Sequence, residues 1–200
     1  MKVSWLEALW VNSPVRYLVQ LREIEFFRRT RLLPPGARVL EVGCGRGAGA
    51  ELIRRSFQPA WIEGIDLDPR MIGLALRRRL PEAAFRVADA QSLPYPDGCM
   101  DAVFNFGIIH HLEDWRKGLR EIHRVLKPAG GFYFEEIYPD LYANAVLRHL
   151  LRHPREDRFR GPEFRRELLA TGLRLVAGYK ESRYRILAVA VKGAPGGGQP

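Results

Sequence analysis

The stretch "VLEVGCGRGAGAELI", residues Val39–Ile53, decides the fold. It opens as an apolar strand and closes as a helix, and between the two Gly43, Gly45, Gly47 and Gly49 alternate with other residues. Glycines at a strand-to-helix turn permit positive φ and let a ligand approach the main chain where a Cβ would collide. The helix beyond offers N–H groups that have no partner within its first turn. A glycine-rich turn alone is weak evidence, since such turns also serve packing. Here the turn follows a clear strand, opens a clear helix and begins a series of strand–helix units, and that context makes it a ligand cradle.

Working outward, apolar runs predict strands at 37–42, 60–66, 83–88, 100–106 and 130–137, with helices at 47–57, 69–79 and 114–126. Such alternation predicts a parallel, doubly wound α/β sheet covered on both faces. Upstream, Ser13-Pro14 reads as an N-cap and first helical residue, with a helix to about Arg31 carrying Tyr17, Leu21 and Ile24 on one face. Residues 4–11 read as a short helix with Trp5, Leu6, Leu9 and Trp10 on one side. Downstream, 140–151 and "GPEFRRELLATGL" read as helices, and "LRLVAGY" and "YRILAVAVKG" as two last strands. The tail "GAPGGGQP" has no side chains for a core and reads as disordered. The expected organisation is an N-terminal helical lid over 1–34, one domain over 35–192 and a tail over 193–200.

The chain has 200 residues, 46% apolar and 28% charged, an ordinary composition for a soluble domain. No run approaches the roughly 18 apolar residues of a membrane span, and the N-terminus lacks the pattern of a signal peptide. Cys44 and Cys99 form no CxxC pair, which argues against a disulfide framework or a zinc site and for a cytoplasmic location; no metal is expected. The formal charge of +9 lies in the flanks: residues 1–40 and 146–192 carry the excess, while the middle is slightly acidic. A nucleic-acid binder concentrates positive charge where it docks, so no specific nucleic acid is expected as a partner.

Two ligand classes compete for the turn. A dinucleotide would set its pyrophosphate there and its ribose on an acid ending the second strand. S-adenosylmethionine uses the same kind of crevice but has no phosphate and carries an ammonium. Asp66, ending "WIEGID", suits either ligand. Glu41 discriminates, because a carboxylate beneath the glycines repels a pyrophosphate and suits a cation. This disfavours an NAD-type oxidoreductase. After the third strand, Asp89 can accept from an adenine amino group, the N–H of Ala90 can donate to a ring nitrogen, and Leu67 offers the adenine face an apolar surface. Asp68 before Pro69 reads as a helix N-cap.

"VLEVGCGRG", "GIDLDPRMI", "ADAQSLPYPDGCMDAV" and "GIIHHLEDW…EIHRVLKPAGGFYF" resemble the class I S-adenosylmethionine-dependent methyltransferases, in the branch that contains the ubiquinone and menaquinone C-methyltransferases. The resemblance covers roughly residues 37–137. It implies a single-domain, Rossmann-like, seven-stranded sheet in the order 3-2-1-4-5-7-6 with strand 7 antiparallel. It implies that Gly43, Gly45 and Gly47 line the methionine end with Glu41 in support, that Asp66 holds the ribose, and that Asp89 and Ala90 recognise adenine. Asn105 and Phe106 would then face the cofactor beside the reaction centre. The "NFGI" at that point departs from the Asn-Pro-Pro-aromatic signature of amino-methylating nucleic-acid enzymes, and "LKPAGG" varies from the usual "LKPGG" by one inserted or replaced residue.

Methyl transfer from a sulfonium needs alignment and exclusion of water, and a base only where the attacking atom keeps a proton. Base candidates at the strand ends are His110, His111, Glu135 and Glu136, with the histidines preferred for their near-neutral pKa. Alternation along a strand lets at most one of Glu135 and Glu136 reach the site. The acceptor is expected to be small or lipid-like, and the basic, Trp-bearing N-terminal helix offers a route to peripheral membrane contact. A module that binds the cofactor without turnover is the remaining alternative.

Overall fold

The structure is a computed structural model that describes residues 13–141 and 158–193. The helices read at 4–11 and 140–151 lie outside the described residues, apart from a 3-10 turn at Pro139–Leu141, and so does the tail beyond Gly193.

Among the described residues eight strands form one sheet: β1 (Arg38–Val42), β2 (Trp61–Asp66), β3 (Ala83–Val87), β4 (Met100–Phe106), β5 (Leu126–Ile137), β6 (Leu173–Leu175), β7 (Lys180–Glu181) and β8 (Arg185–Lys192). Their order is β3-β2-β1-β4-β5-β8-β6, with β7 pairing to β8 off this path. The first five are parallel, and β8 runs antiparallel between β5 and β6. The expected order with its reversed strand is therefore observed, and the two-residue β7 is an addition. Five helices are described: α1 (Pro14–Thr30), α2 (Ala48–Phe57), α3 (Pro69–Leu76), α4 (Trp115–Val125) and α5 (Gly161–Ala170).

Alternation along the strands builds two cores. On one face Leu40, Val103, Phe132 and Phe134 pack with α4 and α5 through Trp115, Leu119, Phe164 and Leu168. On the other, Val39, Phe104, Tyr133 and Val189 pack with α1 and α2 through Ile24, Phe27, Ala50 and Ile53. Phe104 and Tyr133 stack at 4.5 Å, and Phe27 meets both edge-on. Burying such side chains stabilises by about 1.5–3 kcal/mol each before entropy is counted.

Caps hold the helix starts. The Ser13 hydroxyl accepts from Arg16 N–H, Asp68 accepts from Arg70 N–H, and Asp114 accepts from Lys117 N–H. The extra residue of "LKPAGG" is taken up at Ala129, which adopts φ +61°, next to a register shift between β4 and β5. The face of α1 differs from the hydropathy reading. Leu21 is exposed and Tyr17 half-buried, whereas Arg16, Glu23, Ile24 and Phe27 are buried.

Candidate active site

The glycine turn leaves β1 after Val42, with φ of +68° at Gly43, +51° at Gly45 and +76° at Gly47. Gly47 serves as the N-cap of α2, its backbone left-handed and without a side-chain hydrogen bond. One turn later, a Cβ on Gly49 would overlap Glu41 Oε1 and stand 2.9 Å from the Phe106 ring. Gly49 is thus absent a side chain because the Glu41 carboxylate occupies that space.

Glu41 is 2% exposed and accepts the N–H of Ala50, yet its Oε2 has no hydrogen-bond partner. Burial pushes its pKa well above the ordinary carboxylate value. An orphaned buried acceptor is costly, so it marks a place for a donor. A Cβ built on Gly45 meets nothing within 4 Å, which leaves an open main-chain face on the same turn. An orphaned acid beside bare backbone fits the ammonium of an amino-acid moiety and not a pyrophosphate.

Asp66, half-buried at the end of β2, accepts from Gly45 N–H and from Asp68 N–H, each at 2.9 Å. It ties the glycine turn to the second strand and keeps lone pairs for further donors. Leu67 beside it stands exposed, as an apolar platform would. Asp89 accepts from Gln91 N–H at 2.8 Å and from the Gln91 amide at 3.2 Å, while Ala90 is buried in the core. Gln91 Oε1 in turn accepts from Asp114 N–H, so the loop after β3 is fastened to the start of α4. Gly45 and Asp66 are bonded to each other, Gly47 N–H is held by the Cys44 carbonyl on the same turn, and Glu41 accepts from Ala50; Asp89 makes its contacts within its own turn.

At the ends of β4 and β5 the arrangement is denser than the sequence indicates. Asn105 is fully buried: its amide donates to Glu136 Oε1 at 2.5 Å and its Oδ1 accepts from Ile108 N–H. Glu136 also accepts from Ile109 N–H at 2.7 Å, His110 N–H at 3.3 Å and His110 Nδ1 at 2.6 Å. Burial raises Glu136 to about 7 against those hydrogen bonds, and lowers His110 to about 3 with help from the charges of Arg158 and Arg16. The imidazole is therefore neutral, with Nδ1–H assigned as donor to Glu136. His111 is half-buried, its ring 4.2 Å from that of His110.

Glu135 takes the opposite face. It is buried, with an ion-pair distance of 3.6 Å from its Oε2 to Arg16 Nη2. Arg16 Nη1 bonds both oxygens of Glu23 at 3.0 Å, and Nη2 donates to the Phe106 carbonyl at 3.2 Å. Glu135 and Glu136 therefore point to opposite faces as expected, but neither is solvated. Sequence reasoning missed Arg16 and Glu23. The available signal was their spacing of seven, which puts opposite charges on the helix face that carries Ile24 and Phe27.

Among the described residues no three His, Cys, Asp or Glu side chains converge as metal ligands, and no helix is long and apolar enough to cross a membrane. A surface groove lined by Arg31, Leu33, Asp101, Lys127 and Tyr133 involves the starts of β4 and β5 and touches none of this machinery.

Residues 40–134 match a family model described as a methyltransferase domain. The chain is 42% identical over 105 residues to a fatty-acid O-methyltransferase of Mycolicibacterium smegmatis, covering 52% of this chain and 38% of that protein. It is 40% identical over 106 residues to a phthiotriol/phenolphthiotriol dimycocerosates methyltransferase of Mycobacterium tuberculosis, covering 52% of this chain and 39% of that one. The matches thus span about two-fifths of the length of these curated relatives. In fold, the chain resembles the S-adenosylmethionine-dependent methyltransferase of Mesorhizobium loti, with a TM-score of 0.69, 19% identity, and coverage of 84% and 96% of the two chains. The description of the matched model agrees with the methyl transfer expected from the motifs.

Proposed function

Because residues 40–134 match the model of a methyltransferase domain, we propose that this chain transfers the methyl group of S-adenosylmethionine to an oxygen of a lipid-like acceptor, releasing S-adenosyl-L-homocysteine. The observation that carries the reading is the orphaned, buried Glu41 oxygen beside the bare face of the glycine turn. Gly43, Gly45 and Gly47 would hold the methionine end with Glu41, Asp66 the ribose hydroxyls, and Leu67, Asp89 and Ala90 the adenine. Bound there, the sulfonium compound supplies a methyl group already activated for displacement.

The chain's own residues orient and exclude water. Asn105 and Glu136 fix the loop after β4 through the N–H groups of Ile108, Ile109 and His110, so the site wall beside the acceptor is set before any ligand arrives. His110 and His111 stand in that wall. The lipid-like class of the acceptor is taken from the relatives named for fatty acids and for phthiotriol dimycocerosates. In this reading residues 1–34 form a lid over the acceptor, the enzyme works in the cytoplasm, and its N-terminal helix touches the membrane surface that holds such lipids.

The test pairs binding with turnover. Calorimetry with S-adenosylhomocysteine should give saturable binding and NAD none; the reverse pattern would restore the oxidoreductase reading. Label from methyl-labelled S-adenosylmethionine should then enter palmitate or hexadecanol. Binding without transfer to either would remove the acceptor class and leave a module without turnover.

A further inference from the structure

The ends of β4 and β5 hold two acidic groups of unequal state. Glu136 is saturated: Asn105, Ile109 N–H, His110 N–H and His110 Nδ1 all donate to it. Its carboxylate serves the loop. The Glu135 carboxylate, 5% exposed, has no hydrogen bond among the described residues, only the 3.6 Å ion pair with Arg16. A buried carboxylate without a hydrogen-bond donor is costly, even with a cation nearby.

Its direction is as informative as its isolation. Glu135 pairs in register with Phe106, and its Oε2 lies 3.0 Å from where a Cβ on Gly107 would stand. The same missing Cβ would be 3.7 Å from His110 Cε1. Gly107 follows the last residue of β4, at the carboxyl end where parallel sheets receive their ligands. Two acid–base groups from opposite faces therefore approach each other at one absent side chain. Of the two, His110 holds a proton poorly, because burial brings it to about 3. Glu135 has the opposite bias. Burial, and then the charge of Glu23, raise it to about 8 against Arg16, with Glu136 adding to the rise and Arg185 opposing it. These are the charged groups facing it from α1, β5 and β8. A carboxylate of that affinity is matched to proton transfer near neutral pH.

We infer that Glu135 is a catalytic residue that takes the proton from a hydroxyl-bearing acceptor, while Arg16, held by Glu23, positions it. The inference rests on the proposed methyl transfer and narrows its acceptor to an alcohol. As the acceptor oxygen forms its bond to the methyl carbon, the carbon–sulfur bond of the donor breaks and the hydroxyl proton passes to Glu135. The protonated carboxyl later returns that proton to solvent. A fatty acid, already ionised, would have no proton to give and would not need this group.

The experiment compares hexadecanol with palmitate as methyl acceptors, in the wild type and in Glu135→Gln. The ratio of alcohol to palmitate methylation should fall by about 100-fold or more in the variant, the scale of a lost general base. The wild-type alcohol rate should rise with pH to a plateau above about 8. An unchanged ratio overturns the inference, and so does a wild type that methylates palmitate alone. Carbon-13 NMR of labelled glutamate, with S-adenosylhomocysteine bound, supplies a readout independent of turnover. A Glu135 carboxyl titrating above pH 7 supports the assignment, and one titrating near 4.5 overturns it whichever acceptor reacts. Failure of S-adenosylhomocysteine to bind would instead strike the methyltransferase reading itself.

Discussion

Replacing Asp66 with alanine is the most direct probe of how the cradle is built. Its two oxygens accept the N–H groups of Gly45 and Asp68, each at 2.9 Å, and among the described residues no other acceptor takes the Gly45 N–H. A hydrogen bond to a charged group contributes about 1.5–3 kcal/mol, and half-burial places these two toward the lower end because water can replace a lost partner. The variant also removes the acceptor proposed for the ribose hydroxyls. Together these predict cofactor binding weaker by about 1–3 kcal/mol, a rise of roughly 5- to 150-fold in Kd. Titration calorimetry with S-adenosylhomocysteine measures this directly, and amide exchange reports the turn, since Gly45 N–H should lose protection. A Kd within twofold of wild type, with Gly45 still protected, would refute the reasoning that Asp66 both shapes the turn and holds the ligand.

Three further outcomes are expected. Arg16→Met leaves the buried Glu23 with only the longer 3.8 Å ion pair to Arg185 and should destabilise by about 3–5 kcal/mol in urea, with partial recovery when Glu23→Gln is added; equal stability of single and double variants would contradict this. Gly49→Ala sets a methyl where Glu41 and Phe106 already sit, and should cost about 1–3 kcal/mol in stability and weaken S-adenosylhomocysteine binding by displacing Glu41. Stability should fall as pH rises from 6.5 to 8. Glu135 and Glu136 keep their protons to about 8 and about 7 in the folded chain but lose them near 4.5 when unfolded, so the folded state binds more protons across that window. The opposing histidines, His110 and His123, act only below their ordinary value of 6.5. A flat urea midpoint between those pH values would contradict the prediction.

The central sheet was legible because its signals are local. An apolar run, four glycines and a capped helix are read within 15 residues, and the structure returns β1, the turn and α2 within a residue of their expected limits. Asp66 was legible for the same reason, since it ends a strand at a fixed distance from the glycines. β7 was not, because two residues carry no periodicity. The buried face of α1 was misread because hydropathy ranks leucine above arginine. Leu18 and Leu21 are exposed, while Arg16 is buried by partners on Glu23 and on the Phe106 carbonyl, the latter 90 residues away. No local window contains that partner. The saturation of Glu136 and the isolation of Glu135 were equally hidden, because adjacent glutamates differ only in what the third dimension brings to each.

The placement of β8 has a consequence for how the molecule comes into being. Residues 185–192 fit between β5 and β6, joining Gly131 to Val191 at one end and Ile137 to Arg185 at the other. Until they emerge from the ribosome, one whole margin of β5 stands open, with Phe132, Tyr133 and Phe134 along it. Such an open margin invites pairing with another nascent chain. The glycine cradle can take shape early, but the sheet is sealed only when its last strand slides into the gap.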